Sequence, residues 1–330
     1  MSKLSIILPF AREFPQVLFT IKNIAEELID RVDFEIIAID NFCDQLSKQN
    51  YTCPNCQTAH AGFKNDKGGE AIKACERMWP WLKYVQYNDK LSHWNAKNYG
   101  VKKSTGDVLW FCDSHCVINR DSLFNMFEYY VTNEMFGSSL NGTLHLPLTY
   151  KILEAHRTIY KPVLNIDKGE YAYALTNYRE EEFPYKVPAM STCGMMMSID
   201  IFNKLRGWPS EMGIYGGGEN YINFTMAVMG MNKWIFPGKR NCLAHHGEKR
   251  GYHYLYDDFI RNKILATYLF GGKGVANLFI QHAKGRPPVL KSMLDSVIAN
   301  NKTRREYIKS QSVIKIEAWA ETWLRSQQSP

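Results

Sequence analysis

VLWFCDSHCV, Val108 to Val117, is an apolar run that closes on an Asp-x-His triplet. Its aliphatic and aromatic residues predict a strand, and the polar residues that follow predict a loop at that strand's carboxyl end. Asp113 and His115, two residues apart, then reach to one side of the loop, where a carboxylate and an imidazole can hold Mn²⁺ or Mg²⁺ and leave open positions for diphosphate oxygens. Taken alone, the triplet also suits a solvated aspartate beside a structural histidine.

Working outward, the residues upstream alternate between two periods. Leu4 to Pro9, Phe34 to Ile39 and Tyr84 to Tyr87 read as strands, the second closing on Asp40. Val17, Leu18, Ile21, Ile24, Ala25 and Leu28 have helical spacing between the first two, and Asn95 to Lys103 reads as a helix before the triplet strand. This alternation predicts an α/β fold with a Rossmann-like, mostly parallel central sheet flanked by helices, which binds ligands at the carboxyl ends of its strands. Asp40 and Asp113 both stand at such ends. Downstream of Tyr254 the chain reads as a helical extension (254–330), broken at Gly271 to Gly274 and at Pro287 and Pro288.

Composition fits a packed globular protein: of 330 residues, 45% are hydrophobic and 22% charged, which excludes a long disordered tract. The opening MSKLSIILPFAREF is too short an apolar run for a signal peptide, and no segment nears the roughly 20 apolar residues of a membrane span. Eight cysteines without a secretory signal predict reduced thiols or metal ligands and a cytoplasmic location, the host cytoplasm for a viral protein. A formal charge of +7 suits a nucleotide diphosphate, a nucleic acid or an anionic membrane surface. The polar stretch 43–75 reads as a Cys-rich insertion in which Cys53 and Cys56 of CPNC, bracketed by Cys43 and Cys75, form a structural Zn²⁺ knuckle with His60 as a substitute ligand, or else remain unligated. Cys112, Cys116, Cys193 and Cys242 read as small packing residues.

LSHWNAKNYGVKKSTGDVLWFCDSHCV resembles the nucleotide-sugar region of GT-A glycosyltransferases, and its DSHC is shared with polypeptide N-acetylgalactosaminyltransferases. Ala96, Lys97 and Gly100 take the places of that family's Ala-Arg-x-x-Gly helix, with lysine for the arginine that faces the nucleotide. CGMMMSIDIFNKLRGWPSEMGIYGGGENYINFTMAVMG resembles the acceptor-side region. There Gly216, Gly217 and Gly218 would let the backbone approach a sugar, and Glu219 and Asn220 would hydrogen-bond its hydroxyls. NCLAHHGEKRGYHY is similar to the segment that closes the metal site: the resemblance implies His245 or His246 as the third ligand, with Lys249 and Arg250 of a flap neutralising the diphosphate. At the N-terminus, ILPFAREF resembles the first strand of the same fold, which implies that Pro9, Phe10, Arg12 and Glu13 line the nucleotide, with Asp40 reading the base and Ser114 beside the metal aspartate.

The resemblance covers residues 3 to 42 and 84 to 254 and implies a catalytic domain over 1–253. It implies a glycosyltransferase that moves a sugar from a UDP-type nucleotide sugar to an acceptor hydroxyl, with Glu219, Asn220, Lys97 and Arg250 as catalytic residues. Inverting relatives place an aspartate as general base where this chain has Asn220, so retention is expected, with Glu219 as an inverting base the rival reading. Lys284, Arg286, Lys291, Lys302, Arg304, Arg305 and Lys309 form a solvated helical face or a contact for DNA carrying a hydroxymethylated base. Polysaccharide, glycolipid and protein acceptors fit equally. The reading from another class is an inactive, zinc-stabilised nucleic-acid-binding protein on the same scaffold.

Overall fold

A computed structural model describes residues 2–11, 13–42, 51–52, 59–60, 67–135, 140–150, 157–246 and 256–326. In chain order its strands are β1 (Leu4–Phe10), β2 (Phe34–Asp40), β3 (Tyr51–Thr52), β4 (Ala59–His60), β5 (Leu82–Gln86), β6 (Val108–Phe111), β7 (Cys116–Ile118) and β8 (Gly142–His145). They continue with β9 (Leu148–Thr149), β10 (Thr158–Asn165), β11 (Glu170–Asn177), β12 (Tyr185–Lys186), β13 (Met195–Ser198), β14 (Asn232–Ile235) and β15 (Leu243–His245). The described α-helices are α1 (Gln16–Leu28), α2 (Lys67–Glu76), α3 (His93–Lys103), α4 (Ser122–Tyr130), α5 (Ile199–Leu205) and α6 (Gly218–Val228), followed by α7 (Tyr256–His282), α8 (Pro287–Gln311) and α9 (Ile316–Ser326).

Eight strands form the main sheet in the order β12-β14-β8-β13-β6-β1-β2-β5. The quartet β6-β1-β2-β5 is parallel, as the alternation predicts. β14 pairs parallel with β8, while β13 runs antiparallel to both neighbours and β12 to β14, so the sheet is mostly parallel with two reversed strands. Every residue of β1, β2 and β6 is buried, the pattern of central strands covered on both faces. Side chains alternate between two cores. Ile7, Ile37, Ile39, Leu109 and Phe111 face α3 and α6, whereas Leu4, Ile6, Leu8, Ile36 and Trp110 face α1 and α4. Helix α3 lies close on the first face because Gly100 has no side chain: a Cβ there would stand 2.7 Å from Ile39 Cδ1 and 2.9 Å from Ile7 Cγ2.

A second sheet, ordered β11-β10-β9-β15-β7, stands beside the carboxyl ends of the parallel quartet. The helical extension is observed, with α7 broken at Gly272 (φ 80°) inside the predicted glycine-rich break. It shares a core with the sheet, since Phe224 of α6, Ile264 of α7, Leu294 and Ile308 of α8 and Ile316 of α9 belong to one buried cluster. None of the described helices is long and apolar enough to cross a membrane.

Of the expected Cys-rich insertion at 43–75, residues 43–50, 53–58 and 61–66 lie outside the described residues. Residues from Lys67 form α2, whose Ile72 is fully buried in the second core, and Cys75 packs on that core from the same helix. Cys43, Cys53 and Cys56 lie outside the described residues.

Candidate active site

Three chain segments meet where the parallel strands end. Asp113 follows β6, His115 precedes β7, and His245 closes β15. The pairing of β15 with β7 is antiparallel and sets His245 opposite Cys116, while the His246 backbone N–H donates to the His115 carbonyl at 3.0 Å. Successive residues of a strand point to opposite faces. Only one histidine of the doublet therefore turns inward: His245 Nε2 lies 3.2 Å from Asp113 Oδ2 and 3.2 Å from His115 Nε2, whereas His246 is exposed.

His245 stands at ligand spacing from both Asp113 and His115, and the metal-ligating atoms that all lie within 4.8 Å of one another here are those of Asp113, Cys193 and His245. Neighbouring ligands on an octahedral ion with bonds of ~2.1 Å stand about 3 Å apart, close to both observed separations. Two imidazole nitrogens directed at one another, next to a carboxylate, make a poor hydrogen-bonding set and a good ligand set. Burial works to lower the His245 pKa, but the Asp113 hydrogen bond, together with the negative charge nearby, outweighs it and raises the group to about 9. Burial, joined by the His245 charge, lowers His115 to about 4. The pair thus carries one positive charge, on His245, and a cation held here would displace the proton responsible for it.

Asp113 stays ionised although burial opposes it, because the Lys97 ammonium, His93 and the His245 hydrogen bond hold its pKa well below the usual carboxylate range. Lys97 Nζ is 3.3 Å from Asp113 Oδ1 and 3.4 Å from Thr192 Oγ1, and it rests 5.4 and 5.9 Å from the ring centroids of Trp94 and Trp208. Its side chain is 0% exposed, so Lys97 supports the aspartate from within the protein and does not open to the cleft where the nucleotide contact was expected.

Pro9, Glu13, Ser114, Tyr150, Tyr160, Tyr215 and Glu219 join Asp113, His115 and His245 around one cleft. Pro9, Phe10 and Glu13 also line a smaller recess with Asn41 and His93. Burial raises Glu13 to about 7, and its Oε2 accepts from the Ala11 backbone N–H at 2.6 Å. Asp40 differs from its expected base-reading role: its carboxylate is buried, accepting from Tyr84 Oη at 2.7 Å and from the Phe42 N–H at 2.8 Å, and the adjacent Asn41 reaches the recess. Arg12, Lys249 and Arg250 lie outside the described residues.

Glu219, in the first turn of α6, is buried, which raises its pKa, and it accepts from Thr192 Oγ1 at 3.3 Å. It lines both the cation cleft and an adjoining aromatic cleft with Tyr150, Tyr160, Tyr173, Tyr215, Asn220, Phe259 and Lys263. Asn220 directs its amide N–H to the Tyr171 carbonyl at 2.7 Å and so ties α6 to β11. A Cβ on Gly218 would stand 2.3 Å from the Trp94 ring and one on Gly217 (φ +72°) 2.5 Å from the Asn262 carbonyl oxygen, so both pack closely on protein, while Gly216 and Gly217 also line the aromatic cleft.

Sequence reasoning missed His93, Thr192 and Cys193. His93 Nε2 is 3.3 Å from Asp113 Oδ1, and its signal was the cap before it: Ser92 accepts from Asn95 N–H and begins α3 there. Thr192 and Cys193 precede a strand, which in a parallel sheet is the wrong end for a site. Because β13 is antiparallel, its start falls beside the carboxyl ends of its neighbours.

A mixed α/β sheet with Asp-x-His at the end of a central strand and a Glu at a facing helix start defines the GT-A fold. Residues 64–206 match the model of Glycosyl transferase family 2. It is 23% identical over 233 residues to "Putative polypeptide N-acetylgalactosaminyltransferase 13" of Drosophila melanogaster, covering 65% of this chain and 39% of that protein. It is 26% identical over 148 residues to the inactive polypeptide N-acetylgalactosaminyltransferase-like protein 5 of Mus musculus, covering 44% of this chain and 34% of that protein. The chain thus spans between a third and two fifths of the length of these relatives. Among solved structures, GalNAc-T7 with UDP, GalNAc and Mn²⁺ superposes with a TM-score of 0.62 at 11% identity over 92% of this chain and 58% of that one. The mannosyltransferase PcManGT of Pyrobaculum calidifontis with GDP-Man and Mn²⁺ gives 0.51 at 14% identity, covering 98% and 80%. S. aureus TarS 1-349 with UDP-GlcNAc gives 0.52 at 12% identity, covering 91% and 73%.

Proposed function

We propose that this chain is a metal-dependent glycosyltransferase that moves a sugar from a UDP-type nucleotide sugar to an acceptor hydroxyl. Since one relative is named inactive, similarity alone does not decide activity. The observation that carries the reading is the convergence of Asp113 Oδ2, His245 Nε2 and His115 Nε2 on the wall of a cleft that leads to Glu219. Names of the similar solved structures, which pair nucleotide sugars with Mn²⁺, support the same choice of ligands.

A cation held by Asp113, His115 and His245 would supply positive charge to the departing nucleotide diphosphate. Lys97 keeps Asp113 anionic and fixed, because a buried ammonium beside it stabilises only the charged carboxylate. His93 bonds the same oxygen as Lys97, which leaves Oδ2 to face His245. Thr192 orients Glu219 at the passage between the two clefts.

Retention, expected from Asn220, has a rival that the geometry favours. Glu219 is the carboxyl group placed between donor and acceptor clefts, and its raised pKa suits a general base on the acceptor hydroxyl, which gives inversion. The anomeric proton coupling of the product decides, a β-product from an α-donor supporting Glu219.

Tyr150, Tyr160, Tyr173, Tyr215 and Phe259 wall the acceptor cleft, with Lys263 the single basic residue of its described lining. That lining favours a neutral glycan, whose apolar ring faces stack on aromatic rings, over a polyanion. Of the tail's basic residues, Arg304 is spent on the Arg206 and Gly207 carbonyls and Tyr221 Oη, and Arg305 on the Tyr268 carbonyl. Release of nucleotide diphosphate from a panel of UDP- and GDP-sugars, with and without chelator, tests the whole reading. Hydrolysis indifferent to chelator would overturn the metal assignment, and salt-sensitive transfer to hydroxymethylated duplex DNA would overturn the neutral acceptor.

A further inference from the structure

The residues that flank the Asp-x-His triplet are both cysteines, and a third comes to meet them. Sγ atoms of Cys112, Cys116 and Cys193 all lie within 4.8 Å of one another, with Cys116 and Cys193 3.4 Å apart. All three are free thiols at most 1% exposed. Each belongs to a different stretch: the end of β6, the start of β7 and the turn into β13. Their backbones are anchored. Thr20 Oγ1 accepts from the Cys116 N–H at 3.0 Å, the Cys193 N–H donates to Ser191 Oγ at 3.1 Å, and the Cys112 N–H donates to the Ile7 carbonyl at 3.1 Å.

We propose that these three thiols form a second metal site, distinct from the Asp113, His115 and His245 set, that takes a thiophilic divalent cation such as Zn²⁺ or Cd²⁺. Tetrahedral zinc with Zn–S bonds of ~2.3 Å places its sulfurs about 3.8 Å apart. The cluster's separations are 3.4 Å at one edge, a few tenths of an ångström short of that distance, and within 4.8 Å at the others. Thiolate sulfur selects soft or borderline cations, whereas the neighbouring carboxylate and imidazole set accepts harder ones, so two chemistries adjoin without competing for the same ion. On binding, the three thiol protons leave to solvent and three sulfur–metal bonds form. Cys193 Sγ also lies within 4.8 Å of ligand atoms of Asp113 and His245, so the two sites adjoin at this residue. The site rests on this geometry alone and stands or falls independently of the transferase reading.

The test uses the full chain carrying Cys53→Ser and Cys56→Ser, which removes the CPNC pair, reduced and metal-free, titrated with Cd²⁺ alone. One equivalent of thiolate-to-cadmium ultraviolet absorption is expected. Adding Cys116→Ser should weaken Cd²⁺ binding at least about 100-fold, while adding Cys242→Ser leaves it unchanged. No band in the parent, or a band that survives Cys116→Ser, overturns the proposal. Should the Cys116→Ser chain fail to fold, as judged by circular dichroism, the cadmium-113 NMR resonance of the parent decides: a shift typical of three sulfurs supports the site, and one typical of fewer sulfurs, or no bound resonance, overturns it.

Discussion

The two ends of the cleft are built from opposite materials. At the donor end, Asp113, His115, His245, Lys97 and His93 crowd charge and imidazole into a few ångströms, and each is held by strand pairing or by a helix docked on the sheet. At the acceptor end, β10, β11 and the segment before α6 contribute aromatic rings, and the Tyr173 hydroxyl is buried with no hydrogen-bond partner among the described residues. Glu219 belongs to both. In the proposed transferase the difference would separate two tasks: a fixed electrostatic frame for a phosphate-bearing donor, and an aromatic surface that sorts acceptors by shape.

The sharpest way to break this contrast is at Asp113. Asp113→Asn keeps the shape and removes the charge, and should lower Mn²⁺-dependent hydrolysis of nucleotide sugar by about 1000-fold, read as released nucleotide diphosphate. Activity within tenfold of the parent would mean that the donor end is not built around a cation. Next comes the histidine doublet. His245→Ala should cost about 100-fold and His246→Ala almost nothing, because the register sends only His245 inward; equal losses would show that the register argument is wrong.

A smaller effect lies outside both ends. Lys233 in β14 is buried, which lowers its pKa to about 7, and its ammonium donates to the Asn223 carbonyl at 3.1 Å. The unfolded chain keeps this proton up to about pH 10.5 while the folded chain releases it above about 7. Unfolded protein then binds more protons across that window, so this group's contribution to stability rises with pH from 7 toward 10 and is most unfavourable below 7. Lys233→Met should raise the melting temperature by several degrees at pH 7, with the gain shrinking toward pH 10. A gain independent of pH would assign the effect to packing instead. The smallest effect is expected at the acceptor end: Tyr173→Phe removes an unpaired buried hydroxyl and should stabilise by about 0.5–1 kcal/mol in urea denaturation, with donor hydrolysis unchanged. Destabilisation would reveal a partner for that hydroxyl.

The donor end was legible in the sequence because its residues sit beside strong local signals. An apolar run before Asp113 and the alternating strands and helices upstream are short-range patterns, and they located β1, β2, β6, α1 and α3 to within a few residues. What stayed hidden depends on pairing between distant segments. Nothing local tells that β13 runs backward, which brings Thr192 and Cys193 to the site, or that β7 meets β15, which chooses between His245 and His246. Lys97 was found but its direction was not, since two tryptophans from separate elements close over it. The aromatic acceptor wall comes from a hairpin whose sequence carries no chemical motif, only alternating tyrosines that serve a strand equally well.

The pairing of β7 with β15 also has a consequence for how such a site tolerates damage. Short strands slip easily, and a slip of one position exchanges the inward and outward sides. In most sites that error would delete the ligand. Here, loss of one residue from the connection between Phe236 and Cys242 would carry His246 to the position opposite Cys116 that His245 now holds. The doublet is a spare part kept next to the one in use, so that a frame error in the strand is absorbed by the neighbouring side chain.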